Sequence, residues 1–253
     1  MKKFFECLWF AMEMFFSLII LIISIMFTVA SIHNINMTEE IKQFIASATF
    51  EFESNGTYFY KVIDTSLDED TLVYDEGSNK VTLGKTGDFF LMPQSRMDYV
   101  PMFAEFVSYL FGGHAGVIIN NGAKTVEAMG GSADQSYVYE WYSDLHTEER
   151  TTVGMRVVGA TKEERAQAAE NAKTLVGKPY NYLFVLDTYG KYYCTDICHR
   201  IYSKEFGMNY LIDDNGFHVS LQDLFRSNQT KITFVKYVVG DKTYIYYADN
   251  PNI

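Results

Sequence analysis

Two cysteines and a histidine fall within six residues in the stretch YYCTDICHRIY, residues 192 to 202, of a chain that has three cysteines among 253 residues. Residues of these types can bind haem or zinc, form a disulfide, or supply a nucleophile. A c-type haem needs two residues between its cysteines before the histidine, and here Thr195, Asp196 and Ile197 make three. Zinc would have to take Cys194, Cys198 and His199, but His199 is five positions on from Cys194 and rotated off the shared helical face. A bridge between Cys194 and Cys198 has poor geometry, because one turn of helix points both Cβ atoms the same way. A nucleophile fits best. Cys194 opens a predicted helix whose inward stripe continues through Ile197, Cys198 and Ile201, and N–H groups at a helix start favour a thiolate. Cys198 is then core lining beneath it. No metal and no cofactor is expected.

A thiol needs a base. GGHAGVII, residues 112 to 119, reads as a strand, and KTVEAMG, residues 124 to 130, as the strand returning from a turn at Asn121-Gly122. A two-residue turn there puts Gly116 opposite Glu127. His114 shares the face of Gly116, so His114 and Glu127 become diagonal neighbours, ~7–8 Å apart at the backbone and within side-chain reach. A carboxylate so placed orients an imidazole and stabilises its protonated form. A three-residue loop would put the two on opposite faces. His218 is the reserve base, since it precedes a predicted helix cap at Ser220. His33 flanks the apolar N-terminus, and His146 and His199 have no partner that spacing can argue.

The elements that must position these groups are mixed. GDFFLMP is a short strand opened by Gly87-Asp88, DYVPMFAEFVSYLF reads as helix, and TVGMRVVG as a further strand. TKEERAQAAENAKTLVG is the clearest helix, with Thr161 and Glu164 as a capping box and Gly177 as its stop. YCTDICHRIYSKEF forms the next helix, HVSLQDLF a short one, and KITFVKYVVGDKTYIYY a closing hairpin. The fold class expected is α+β, an antiparallel sheet with helices packed on it. MTEEIKQFIASATF reads as a short helix capped by Thr38, followed by a polar, acidic stretch to about residue 80. GKPYNY lacks the glycines and the Lys-Ser/Thr end of a phosphate loop.

A net charge of −11 argues against a nucleic-acid partner, whose phosphates demand Lys and Arg, and against docking on anionic lipid through a basic patch. The run MFFSLIILIISIMFTVA, residues 14 to 30, carries no charge and spans ~26 Å as a helix, close to a ~30 Å hydrocarbon core. Lys2 and Lys3 ahead of it favour a cytoplasmic N-terminus with everything after Ile32 outside. Cleavage as a signal peptide after Thr28-Val29-Ala30 is the alternative, against which Glu6, Glu13 and the long apolar run weigh. Three regions follow: a membrane anchor at 1–33, a membrane-proximal module or linker at 34–80, and a catalytic domain at 81–253.

GDFF, GGHAGVIINNGAKTVEA, GKPYNY and YYCTDICHRIY, in this order, resemble the YiiX/YebB-like branch of the NlpC-type cysteine hydrolases over roughly residues 81 to 240. In that branch a papain-like domain is circularly permuted, so the histidine strand precedes the cysteine helix. The resemblance implies Cys194 as nucleophile, His114 as general base and Glu127 as the polar residue orienting it. It places Tyr180 near the nucleophile, in substrate or oxyanion contacts, together with Thr195, which stands where such families often have serine. The reaction expected is cleavage of an amide, in a peptide or a lipid-linked molecule, through an acyl-enzyme. A thiol-dependent lipid acyltransferase or thioesterase on the same fold is the alternative, and an inactive cleft used for binding is the second alternative.

Overall fold

The structure, a computed structural model, describes residues 2–75, 80–93, 113–131, 137–184, 190–210, 212 and 218–253. The helix expected over 98–111 lies outside the described residues. Eleven strands are described: β1 (Thr49–Ser54), β2 (Thr57–Ile63), β3 (Leu72–Asp75), β4 (Lys80–Leu83), β5 (Phe89–Met92), β6 (His114–Ile119), β7 (Lys124–Ala128), β8 (Val138–Tyr142), β9 (Thr152–Val157), β10 (Thr230–Val239) and β11 (Lys242–Asp249). The α-helices are α1 (Lys2–Ala46), α2 (Lys162–Thr174), α3 (Cys194–Arg200) and α4 (Leu221–Arg226).

Nine strands form one sheet in the order β1-β2-β11-β10-β9-β5-β6-β7-β8, and β3 pairs with β4 in a separate ribbon. The sheet is not wholly antiparallel as expected, because β2 joins β11 in parallel, Thr57 opposite Thr243 through Ile63 opposite Asp249. The two strands are far apart in sequence, so no hairpin dictates their direction. Residues 49 to 63 thereby extend the sheet that carries β5 to β9. Alternation along β5 divides the core into two layers: Phe89 and Leu91 pack towards α2, α3 and α4, while Phe90 and Met92 meet Phe59, Ile118, Phe234 and Ile245 on the other face. All six residues of β9 are buried, as expected of a strand covered on both faces.

Helix α2 carries the capping box of Thr161 and Glu164, and Gly177 takes positive φ (84°) just beyond it. Helix α3 is shorter than the sequence suggests. It ends at Arg200, and a 3-10 turn at Lys204–Phe206 follows. Within it Arg200 Nε donates to Asp196 Oδ1 at 2.7 Å, one turn away. Thr38 is no N-cap: α1 runs through it unbroken, with no glycine or proline to stop it, and Thr38 Oγ1 donates back to Asn34 O at 2.8 Å. Helix α1 is long and apolar enough to cross a membrane.

The acidic stretch before β3 has buried partners. Arg165 of α2 reaches Asp68 and Glu69, with Nη2 to Glu69 Oε1 at 2.6 Å. Arg156 of β9 forks onto Asp88, Nε to Oδ1 at 2.7 Å and Nη2 to Oδ2 at 2.9 Å, and Asp88 is wholly buried. Asp88 also accepts the N–H of Lys85, and its own carbonyl accepts that of Ile118 at the end of the histidine strand. Replacing Asp88 with alanine leaves the Arg156 guanidinium buried without its fork. Destabilisation by ~3–5 kcal/mol is expected, read as a lowered denaturation midpoint, and a shift within error of wild type would contradict it.

Candidate active site

Asn121 and Gly122 take positive φ, 52° and 83°, and Ala123 N–H donates to Asn120 O at 3.2 Å, the geometry of a two-residue turn. Val117 consequently opposes Val126 and Ile118 opposes Thr125. One step further along this register lies Gly116 against Glu127. His114 Nε2 and Glu127 Oε2 are 2.6 Å apart. The glycine is required here, because a Cβ at residue 116 would stand 2.6 Å from Glu127 Cγ and from the Phe90 ring. The other carboxylate oxygen accepts Thr125 Oγ1 at 2.5 Å. Thr125 and Glu127 are two apart on β7 and therefore share a face.

Helix α3 packs against β6 and β7 and brings Cys194 to the same imidazole. The Cys194 sulfur is within hydrogen-bond reach of the His114 ring and of the N–H groups of Ala115 and Thr195. Burial disfavours the thiolate, but the His114 hydrogen bond and charge, aided by the two N–H groups, hold Cys194 below the ordinary thiol range. Burial likewise disfavours the imidazolium, and the hydrogen bonds and charges of Cys194 and Glu127 outweigh it, pushing His114 up to about 10. Glu127 is held below the usual carboxylate range: burial opposes this, and the bond to His114 prevails. Thiol, imidazole and carboxylate are thus connected in series, each favouring the charged form of its neighbour. Since α3 has only seven residues, its dipole is a small contribution beside these direct contacts.

Tyr180 comes to the thiol as well. Its phenol is held above the ordinary range, by burial first and then by the charge and hydrogen bond of Cys194, so the hydroxyl keeps its proton. Thr195 contributes through its backbone. Its hydroxyl turns away and donates to Val219 O at 2.6 Å, tying α3 to the start of α4. His218 is not the ring at the thiol: it stacks on Tyr193, ring centres 5.5 Å apart, and its Nδ1 lies 2.6 Å from Phe184 O. Cys198 is fully buried with Sγ 3.6 Å from Cys194 O, and burial pushes its thiol up. All three cysteines are free, and among the described residues no group of three or more His, Cys, Asp or Glu could hold a metal ion. The side chains of His114 and Glu127 stay 15% and 16% exposed and Cys194 9%, so solvent still reaches the site.

Two contributors escape sequence reasoning. Thr125 could have been found from the period-two spacing that puts a hydroxyl on the face of Glu127. The N–H of Ala115 could not, since every residue carries one.

The family model of permuted papain-like amidase enzymes, the YaeF/YiiX or C92 family, matches residues 91–237 of this chain. No curated protein matches. A crystal structure titled as metalloprotein yiiX from Escherichia coli aligns with a TM-score of 0.46 and 20% identity, over 61% of this chain and 98% of that one.

Substituting alanine for Gly116 pushes Glu127 off its line to His114. The imidazolium then loses support and the thiol pKa rises. The pH midpoint for alkylation of Cys194 by iodoacetamide is expected to move upward, with ~1–3 kcal/mol lost in stability from overpacking. An unchanged midpoint would show that the carboxylate does not act through this contact.

Proposed function

The chain belongs to the permuted papain-like amidases of the YaeF/YiiX family, and from that premise we propose that Cys194, His114 and Glu127 operate as a nucleophile, a proton carrier and its orienting carboxylate in a cysteine hydrolase that cleaves amides. The observation carrying this reading is a single imidazole, 2.6 Å from a part-buried carboxylate and in hydrogen-bond reach of a thiol, at a site that solvent reaches. The Cys194 thiolate attacks the amide carbonyl carbon. As the tetrahedral intermediate collapses, the C–N bond breaks and His114 gives its proton to the departing nitrogen, leaving a thioester on Cys194. Water then loses a proton to neutral His114 and attacks the thioester, the carboxylic acid departs, and the thiolate-imidazolium pair is restored. The oxyanion takes hydrogen bonds from backbone N–H groups at the start of α3 and from the protonated hydroxyl of Tyr180.

Helix α1 anchors the enzyme in a membrane, with the N-terminus cytoplasmic and the catalytic domain outside. The length of its uncharged run and the acidic Glu6 and Glu13 ahead of it support an anchor over a cleaved signal peptide, and Lys2 and Lys3 support the orientation. Transfer of the acyl group to an acceptor other than water uses the same thioester. A patch of exposed Tyr182 and Leu183 beside the cleft favours an apolar substrate portion for either outcome.

Alkylation of the detergent-solubilised protein across pH 5 to 9 tests the pair. Cys194 should label rapidly well below pH 8. In His114→Ala this reactivity should be lost, whereas Cys198→Ala should behave as wild type. An ordinary thiol profile at Cys194, or labelling governed by Cys198, would sink the scheme. Amide hydrolysis should follow a bell in kcat/KM: rising as pH climbs through the depressed thiol pKa, and falling near pH 10 as His114 loses its proton. Glu127→Gln removes charge that raises His114, so its alkaline limb should move to lower pH. A limb that stays in place would remove Glu127 from the scheme.

A further inference from the structure

Helix α1 does not end where the apolar run ends. Asn34, four residues past that run, accepts a hydrogen bond from Gln222 Nε2 on Oδ1 at 2.7 Å. Met37 is buried in the core, and Ile41, Phe44 and Ile45 pack against it. The helix is continuous from Lys2 to Ala46, so there is no hinge between the apolar run and the docked turns. At ~1.5 Å per residue, Asn34 stands ~6 Å beyond residue 30 and Ile45 ~22 Å. A ~30 Å hydrocarbon core within a bilayer of ~40–45 Å leaves ~5–7 Å for the head groups on each side. Ile35, next to Asn34, remains exposed, as a residue at the edge of lipid would.

Gln222 lies in the first turn of α4, and the residues just ahead of it touch the catalytic helix. Val219 O accepts Thr195 Oγ1, and Val219 N–H donates to Tyr193 Oη at 2.8 Å. His218 holds the carbonyl of Phe184, a residue at φ 53° that aliphatic and aromatic side chains seldom adopt. Beside it Leu183 is 74% exposed and Tyr182 is 53% exposed. The lowest docking contact of α1, the start of the nucleophile helix and an apolar edge thus adjoin one another.

We infer that α1 is a rigid strut holding the catalytic cleft against the bilayer surface at head-group level, with Tyr182 and Leu183 dipping into the interface, and that the substrate is a membrane-resident amphiphile whose scissile acyl bond lies at that level. This rests on the proposed anchor and thiol chemistry, and it selects the lipid-borne substrate over a water-soluble peptide. Tyrosine and leucine at an interface fit it, one with a polar tip and the other wholly apolar.

The full chain, carrying Cys7→Ser and Cys194→Ser so that only buried Cys198 remains, is labelled with bimane at Leu183→Cys or at Ser47→Cys and reconstituted in phosphatidylcholine vesicles. A nitroxide on the choline head group should quench the residue-183 probe several-fold more than the residue-47 probe, which lies ~20 Å beyond Asn34 along the axis. Equal quenching, or the reverse order, overturns the inference while leaving the anchor intact. Failure of the chain to float with vesicles overturns both, and leaves the thiol chemistry standing on its own alkylation test. A second measurement avoids the cleft altogether. Seven helical residues inserted after Ser31 lift the domain by ~10 Å with its facing nearly unchanged. Hydrolysis of a long-chain N-acyl amide in vesicles should fall at least tenfold, with a short-chain soluble amide unaffected. Equal effects on the two substrates, or none on either, would overturn the inference.

Discussion

The part-buried imidazole of His114 is the constraint on which the rest of the site depends. Burial works against all three charges of the set: the thiolate of Cys194, the imidazolium and the carboxylate of Glu127. Any one alone in this cleft would neutralise itself by gaining or losing a proton. Together each favours the charged form of the next, because opposite charges ~4 Å apart interact by ~4 kcal/mol at an effective dielectric of ~20. That mutual dependence explains details that would otherwise look incidental. Gly116 has no side chain because the Glu127 side chain passes over it, and Thr125 spends its hydroxyl on the carboxylate oxygen that His114 does not use.

Such a set needs a scaffold that cannot drift by an ångström, and the sheet provides it. The histidine strand lies between β5 and β7 with almost every residue buried, and its register is locked by the Asn121-Gly122 turn. The ion pairs of Arg156 with Asp88 and of Arg165 with Asp68 and Glu69 fasten β5, β9, α2 and the chain before β3 to one another. A buried pair of this kind adds little net stability over apolar packing, but it is costly to break, which favours one arrangement over its neighbours.

Helix α1 adds a second constraint, on where the cleft is held. Its apolar side chains are largely exposed, whereas Asn34, Met37, Ile41, Phe44 and Ile45 meet the domain. An unbroken helix carries position from one part to the other as a rod does. In our reading the same residues that fasten the rod to the domain put the start of α4, and so of α3, nearest the lipid.

Local features were legible in the sequence because their causes are local. The Asn-Gly turn sets the β6–β7 register and the Thr161–Glu164 box starts α2; the order of the motifs marked the family, and the pairing of Cys194 with His114, far apart in the chain, was implied by that resemblance and not by local spacing. What only the tertiary structure decided was non-local or anonymous. The parallel joining of β2 to β11, the insertion of β9 between β5 and β10, and the matching of Asp68 and Glu69 to Arg165 bring together residues far apart in the chain. Nothing in a residue's type says which distant partner it will meet. The run of α1 through Thr38 and the early end of α3 belong here too, since docking against α4 and the start of a 3-10 turn outweigh weak capping signals. The N–H of Ala115 at the thiol is the limiting case: a group every residue carries becomes specific only where the fold aims it.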